Sequence, residues 1–297
     1  MSSPRARYLA FVGPRGSGKT TFLVAMRYQL RRLRKTESGL EYRNLSQEMD
    51  RLSAIESAWL KCQPTERTTS SLSTDNAESI GTVALSTGGS EFELIVPDFS
   101  GEGFKEQWQR RHASRDYVDL ISRTAGLALF VHPLDVKEPL WIADLDALAE
   151  AGGEGATPSE TGDADTPSEP AGVEWNEDQV NTQVVFVELL QIIKELRRDL
   201  GSVPKLSVVV SAWDTIQEKY DLPDDYIALR LPLLSQYLDA NSGTWTVRYF
   251  GVSAFGGDPK KDAVRLREVN NPEERPFVVS RLYRGRDLSS VIAWFME

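Results

Sequence analysis

The sequence gathers three glycines, a lysine and two threonines into one short run, GPRGSGKTT at residues 13–21. Gly13, Gly16 and Gly18 let the backbone turn tightly and come close to a bulky anion, with its N–H groups pointing inward. Lys19 adds an ammonium group suited to β- and γ-phosphates, and Thr20 adds a hydroxyl able to ligate Mg2+. Ser17 belongs to the same cradle, and Thr21 is placed to reach an α-phosphate. The preceding residues, 7–12, read as an apolar strand, and a helix is expected from Thr20 onward. The helix N-terminus therefore adds its partial positive charge at the loop. The run matches G-x-x-x-x-G-K-[ST] in full, and the chemistry it predicts is binding of a nucleoside triphosphate with magnesium. Arg15, inside the loop, has two readings: a built-in cation for the transition state of phosphoryl transfer, or a solvated loop side chain.

Three further segments carry chemistry. Asp98-Phe99-Ser100-Gly101-Glu102 follows the strand FELIV. Asp98 at a strand end can hold magnesium through water, and Gly101 lets a backbone N–H approach the γ-phosphate. Asp214, in Ser211-Ala212-Trp213-Asp214, closes the run LSVVVS. Its carboxylate can accept from both the ring N–H and the exocyclic amine of guanine, a donor pair that adenine lacks; the alternative is a helix N-cap ahead of residues 215–219. Ser253-Ala254 ends the last long strand and offers a backbone N–H to a base. Residues 63–78 are rich in Ser and Thr and read as a mobile loop. A threonine sensing the γ-phosphate and the metal is expected there, Thr65 after Pro64 ahead of Thr68 or Thr69.

The elements that must position these residues follow from periodicity. Apolar residues three and four apart predict helices over 20–35, 42–60, 181–200 and 225–238, with others over 105–123 and 287–295. Residues 79–86 and 91–96 flank TGGS and predict an antiparallel hairpin. The runs at 126–132, 206–211 and 244–253 read as strands, the first two continuous and apolar like buried parallel ones. Alternating strands and helices predict an α/β fold, a three-layer α/β/α P-loop NTPase domain with a mainly parallel sheet and one antiparallel strand. In such sheets ligands sit at the carboxyl ends of strands, where all four motifs fall. Residues 149–176 are dense in Gly, Ala, Glu, Asp, Thr, Ser and Pro and predict a disordered acidic insertion within one domain spanning 1–297.

Composition narrows the classes. Of 297 residues, 40% are hydrophobic, enough for a packed core. A net charge of −10 argues against a broad nucleic-acid-binding face. One cysteine, Cys62, excludes an internal disulfide and suits a reducing compartment. The longest uncharged apolar run, 125–134, falls well short of a membrane span, and with no apolar leader visible a cytoplasmic location is expected. The cluster Arg27, Arg31, Arg32, Arg34 and Lys35 reads as a solvated basic helix end, and His112 and His132 as structural.

The order of motifs resembles that of the translation-factor-related GTPase class: P-loop, threonine-bearing switch loop, antiparallel hairpin, D-x-x-G, an [NT]-K-x-D-like segment and S-A. Within it, the GSGKTT, D-x-x-GE and W-D segments are similar to those of bacterial double-GTPase proteins of multi-gene conflict systems. The resemblance implies a GTP/GDP- and Mg2+-binding switch read by protein partners, in a setting such as anti-phage defence. Thr20, Thr65 and Asp98 would serve the metal, and Lys19, Glu102 and Arg15 the chemistry. The sequence departs from the pattern at Ser211 and Ala212, where the class carries Asn or Thr and then Lys. The lysine stem that covers a guanine face is thus missing, and Trp213 is a candidate substitute. Glu102 stands where small GTPases carry a water-orienting glutamine, which implies slow intrinsic hydrolysis. An ATP-driven ATPase and a non-hydrolysing nucleotide-binding scaffold remain the alternatives.

Overall fold

The computed structural model describes residues 7–33, 36–45, 50–63, 79–87, 90–97, 108–109, 115–138, 180–197 and 204–296. The acidic segment 149–176 lies outside these residues.

The strands are β1 (Arg7–Val12), β2 (Glu41–Leu45), β3 (Ser79–Thr87), β4 (Ser90–Pro97), β5 (Thr124–Val131), β6 (Lys205–Val210), β7 (Thr246–Ser253), β8 (Phe277–Val279) and β9 (Arg284–Gly285). The helices are α1 (Lys19–Leu33), α2 (Asp50–Leu60), α3 (Arg115–Arg123), α4 (Thr182–Leu196), α5 (Pro223–Arg230), α6 (Pro232–Ala240), α7 (Ala263–Arg267) and α8 (Ser290–Ala293). One sheet runs in the order β2-β3-β4-β1-β5-β6-β7-β8-β9. Its five central strands, β4-β1-β5-β6-β7, are mutually parallel. Antiparallel pairs extend both edges.

Strand alternation divides the core. Leu9 and Phe11 of β1 point to the face covered by α1, α2 and α8, where Phe11, Phe22 and Phe130 meet with ring centroids 5.2–5.6 Å apart. Ala10 and Val12 point to the other face, against α3, α4, α5 and α6. β5 and β6 are buried along nearly their whole length on both faces, which is why their sequences are almost continuously apolar.

Four expectations are corrected. Residues 41–45 pair with β3 as a strand instead of opening a helix at 42, so the helical segment begins only at Asp50. Alternating Glu41, Tyr42 and Arg43 suit an edge strand, and the pairing covers the side of β3 that β4 leaves open. The helix expected over 225–238 is two helices, because Pro232 cannot continue α5 and instead starts α6 at its first turn. Two strands, β3 and β8, run against the rest instead of one, since the short β8 and β9 add a hairpin beyond β7. The expected closing helix is shorter than 287–295 and ends in a 3-10 turn, Trp294–Met296.

Candidate functional site

The loop 13–18 bridges the end of β1 and the start of α1, at the carboxyl end of the sheet. Gly13 and Gly18 take φ of 144° and 90°, and space is as restrictive as conformation. A Cβ on Gly13 would lie 2.6 Å from the Phe130 carbonyl oxygen, and one on Gly18 would lie 3.0 Å from Ser211 Cβ. Only glycine lets this backbone settle against its neighbours while its N–H groups line the turn. Lys19 Nζ donates to the carbonyls of Gly13 (2.7 Å) and Pro14 (2.9 Å) and to Ser17 Oγ (3.2 Å). The ammonium is therefore held over the loop by the residues whose amides form the cradle. Polyphosphate oxygens would take over these acceptor roles, as charged acceptors making stronger bonds. Ser17 is buried, Arg15 is exposed at the crest, and Thr20 and Thr21 are half-buried at the start of α1.

β4 lies beside β1 and ends at Pro97, at the same end of the sheet as the loop. Asp98, Gly101 and Glu102 follow it; with Thr65 they lie outside the described residues.

Two strands along from β1, β6 ends at Val210 and the chain turns sharply. Ser211 N donates to Val131 O (2.9 Å), and Ala212 adopts a left-handed conformation (φ 45°, ψ 41°) that leads into a 3-10 turn, Trp213–Thr215. That turn directs the Asp214 carboxylate toward β7, where Ser253 Oγ donates to Asp214 Oδ1 (2.5 Å). Ser253 Oγ in turn accepts from Gly256 N (3.1 Å). Because β6 and β7 are adjacent and parallel, their ends meet without a long reach. Burial pushes the Asp214 carboxyl above its ordinary value; the Ser253 hydrogen bond opposes this, and the Asp258 and Asp262 carboxylates add to it.

The N-cap alternative for Asp214 does not describe this geometry: Ala212 holds the capping position, and the Asp214 carboxylate bonds Ser253. Trp213 does not cover a base. It is buried, and it packs so closely on β7 that a Cβ at Gly251 would sit 2.4 Å from its indole. Its place is in the core against α4, α5 and α6.

The basic end of α1 also differs from a solvated face. Arg27 is 3% exposed and lies 3.7 Å from Glu56 of α2, and Arg31 pairs with the same carboxylate. One neighbour of the loop escaped sequence reasoning. Asp135, in the turn after β5, brings Oδ2 to within 3.7 Å of where a Gly16 Cβ would stand, and the same oxygen lies 3.7 Å from His132 Nδ1. The signal was present, since Asp135 follows a buried parallel strand by four residues, but nothing in a lone acid there distinguishes it from a turn residue.

A glycine cradle with its lysine at one strand end, and a carboxylate–hydroxyl pair two strands away, is the layout of a P-loop nucleotide-binding protein of the GTPase type. Residues 10–295 match the family described as Double-GTPase 1, and the chain belongs to that family. No curated protein matches the sequence. Among solved structures, the GTP-bound GTPase-like domain of Ski7 from S. cerevisiae is similar at 14% identity and TM-score 0.43, covering 86% of this chain and 44% of that one. The same domain bound to GDP and inorganic phosphate is similar at 14% identity and TM-score 0.45, covering 98% and 49%. The bacterial selenocysteine-specific elongation factor EF-Sec is similar at 12% identity and TM-score 0.34, covering 91% and 30%. The chain thus spans less than half the length of each of these structures. No helix among the described residues is long and apolar enough to cross a membrane.

Proposed function

We propose that this protein is a GTP-dependent switch with slow intrinsic hydrolysis, whose GTP-bound form is read by a protein partner. One observation carries the guanine part of the reading. The Asp214–Ser253 pair stands at the same sheet end as the phosphate loop, with a carboxylate oxygen left over after the Ser253 bond. An ionised carboxylate there accepts from both N–H donors of guanine, and the Ala254 amide faces the base from the neighbouring strand end.

The phosphate end supports the same reading. Gly13, Gly16, Ser17 and Gly18 supply amides, and Lys19 supplies charge to the β- and γ-phosphates. The hydroxyls of Thr20 and Thr65 and the Asp98 carboxylate would hold Mg2+, which neutralises charge on the β- and γ-oxygens when bound. Gly101 would contact the γ-phosphate, so loss of that phosphate would release the segments at 63–78 and after Asp98. Glu102 places an anion where a neutral water-orienting group is expected, which slows hydrolysis until a partner rearranges the site. Arg15 would supply positive charge to the transition state. Family membership supports a role alongside partner proteins in a bacterial conflict or defence system.

The test is calorimetry on the purified full chain with Mg2+ and each of GTP, GDP, ATP and ADP, paired with single- and multiple-turnover hydrolysis assays. Selective binding of guanine nucleotides with slow turnover is the expected result. Preference for adenine nucleotides would overturn the base assignment, and rapid multiple turnover by the isolated chain would overturn the switch reading.

A further inference from the structure

The turn that follows β7 does not stand alone. Its Ala254 carbonyl accepts a hydrogen bond from the indole N–H of Trp59 (2.9 Å), a residue 195 positions earlier in the chain. Trp59 lies in the last turn of α2 and is fully buried. Its ring sits between the Tyr28 ring of α1, at 5.3 Å between centroids, and the Arg275 guanidinium, whose carbon lies 4.4 Å from the indole centroid.

Arg275 fixes this arrangement from the far side. Its guanidinium donates to the carbonyls of Trp59 (3.2 Å) and Leu60 (3.5 Å) and to Cys62 Sγ (2.5 Å). Arg267 Nε donates to the next carbonyl, Lys61 O (3.0 Å). These carbonyls are among the acceptors a helix leaves unsatisfied at its C-terminus, and here two arginines from the segment after β7 satisfy them. Cys62 closes the helix in a left-handed conformation (φ 53°) that glycine or asparagine ordinarily fills. The base-side turn is seated on the same residue, because a Cβ at Gly256 would stand 2.1 Å from Arg275 O.

We propose that Trp59, braced by Arg275, is a positioning residue for base recognition: it fixes the turn 253–256 at the height and tilt that let Ala254 and Asp214 read a purine together. The inference rests on the reading that these two residues face the base. It adds that selectivity is set from α2, an element with no phosphate or base contact of its own. The Ser253 hydroxyl links the two halves, holding Asp214 on one side and the Gly256 amide on the other. A shift of the Ala254 peptide therefore displaces the carboxylate as well.

Trp59→Phe tests this in the full chain. It keeps an aromatic ring beside Tyr28 and Arg275 and removes the N–H together with part of the indole's volume, a packing loss that would act on all ligands alike. Dissociation constants for GDP, ADP and inorganic pyrophosphate are measured by calorimetry for wild type and variant. The expected result is a drop of about tenfold in the ratio of GDP to ADP affinity, with pyrophosphate affinity unchanged. An unchanged ratio overturns the proposal, even if all three ligands weaken together, because a merely structural role would act on them equally. The wild-type ratio separately tests the guanine reading. A wild type that prefers ADP defeats that reading, while collapse of its preference in Trp59→Phe still supports the positioning role. A wild type with no base preference overturns both. If Trp59→Phe does not fold, hydrogen exchange on the wild type decides. The amides of Lys61 and Cys62, bonded to Ser57 O and Trp59 O, should gain protection with GDP beyond that with pyrophosphate. Equal protection overturns the proposal.

Discussion

Ser253 and Asp214, 39 residues apart in sequence, share a 2.5 Å hydrogen bond across the ends of two neighbouring parallel strands. The bond determines which way the carboxylate points. Burial of the acid disfavours its charge, and the Ser253 bond offsets only part of that. A group held in that state is costly to the fold and useful to a ligand that donates two hydrogen bonds.

The first prediction follows from this cost. A carboxyl whose pKa is raised by folding binds protons more tightly in the native state than in the unfolded chain. Stability therefore falls as pH rises from the ordinary carboxylate value through the raised one, and stays lowered above it. Asp214→Asn removes the charge at every pH. It should melt higher than wild type at neutral pH, with the difference shrinking as the pH falls toward the ordinary carboxylate range. The same substitution should weaken GDP binding about 10- to 100-fold, the range for losing hydrogen bonds to a charged acceptor. A variant that melts lower than wild type at neutral pH would contradict the burial argument.

The second prediction concerns the lysine. Its three loop acceptors are within 3.2 Å, so Lys19→Ala removes local hydrogen bonds as well as the ligand's cation. The loop backbone is still held by Gly13, Gly18 and the start of α1. Calorimetry with Mg-GTP should show an affinity loss on the order of 100-fold, since charge-assisted contacts to two phosphates go at once. Circular dichroism should show a melting temperature within about 5 °C of wild type. Undiminished affinity would place the triphosphate elsewhere.

How much of this was legible in the sequence depends on the range of the forces involved. The phosphate loop was readable because all its parts are consecutive, and β5 and β6 because burial on both faces leaves an almost unbroken apolar run. The strand at 41–45 was missed because Tyr42 and Leu45 satisfy helical spacing as well as an edge strand does, and only pairing to β3 decides between them. The hairpin β8–β9 was missed because strands of three and two residues carry almost no periodicity. Asp214 and Ser253 were each visible, but their bond depends on β6 and β7 being neighbours. The fate of Trp213 depended on Gly251, whose missing side chain makes room for the indole. Trp59 gave no sign of its role, because an indole on the apolar face of a helix looks the same whether its N–H meets a distant carbonyl or not.

A third prediction tests the tie between α1 and α2. Arg27 is buried, its Nε and Nη1 have no hydrogen-bond partner among the described residues, and Glu56 is its counter-charge. Burial lowers the Arg27 pKa, and the Glu56 carboxylate offsets part of that. Glu56→Ala should therefore destabilise the fold by about 3 kcal/mol, because the cost of an uncompensated buried cation exceeds that of a lost surface pair. Adding Arg27→Met should recover most of this, by exchanging the stranded charge for apolar volume. Urea denaturation of both variants measures the difference; a loss below about 1 kcal/mol for Glu56→Ala would mean water reaches Arg27.

The last prediction concerns Ala212, a non-glycine residue held left-handed between β6 and the Asp214 turn. For a residue with a Cβ that conformation costs about 1–2 kcal/mol. Glycine removes the strain but adds about 0.5–1 kcal/mol of backbone entropy to the unfolded chain. The difference favours Ala212→Gly by roughly 0.5–1 kcal/mol, seen as a shifted denaturation midpoint at constant slope. The gain should come with weaker base selectivity, because glycine also loosens the peptide that aims Asp214. A more stable variant with undiminished GDP preference would show that the turn is held by its hydrogen bonds alone, chiefly Thr215 Oγ1 to Ala212 O at 2.8 Å. A less stable variant would show that the left-handed residue is unstrained.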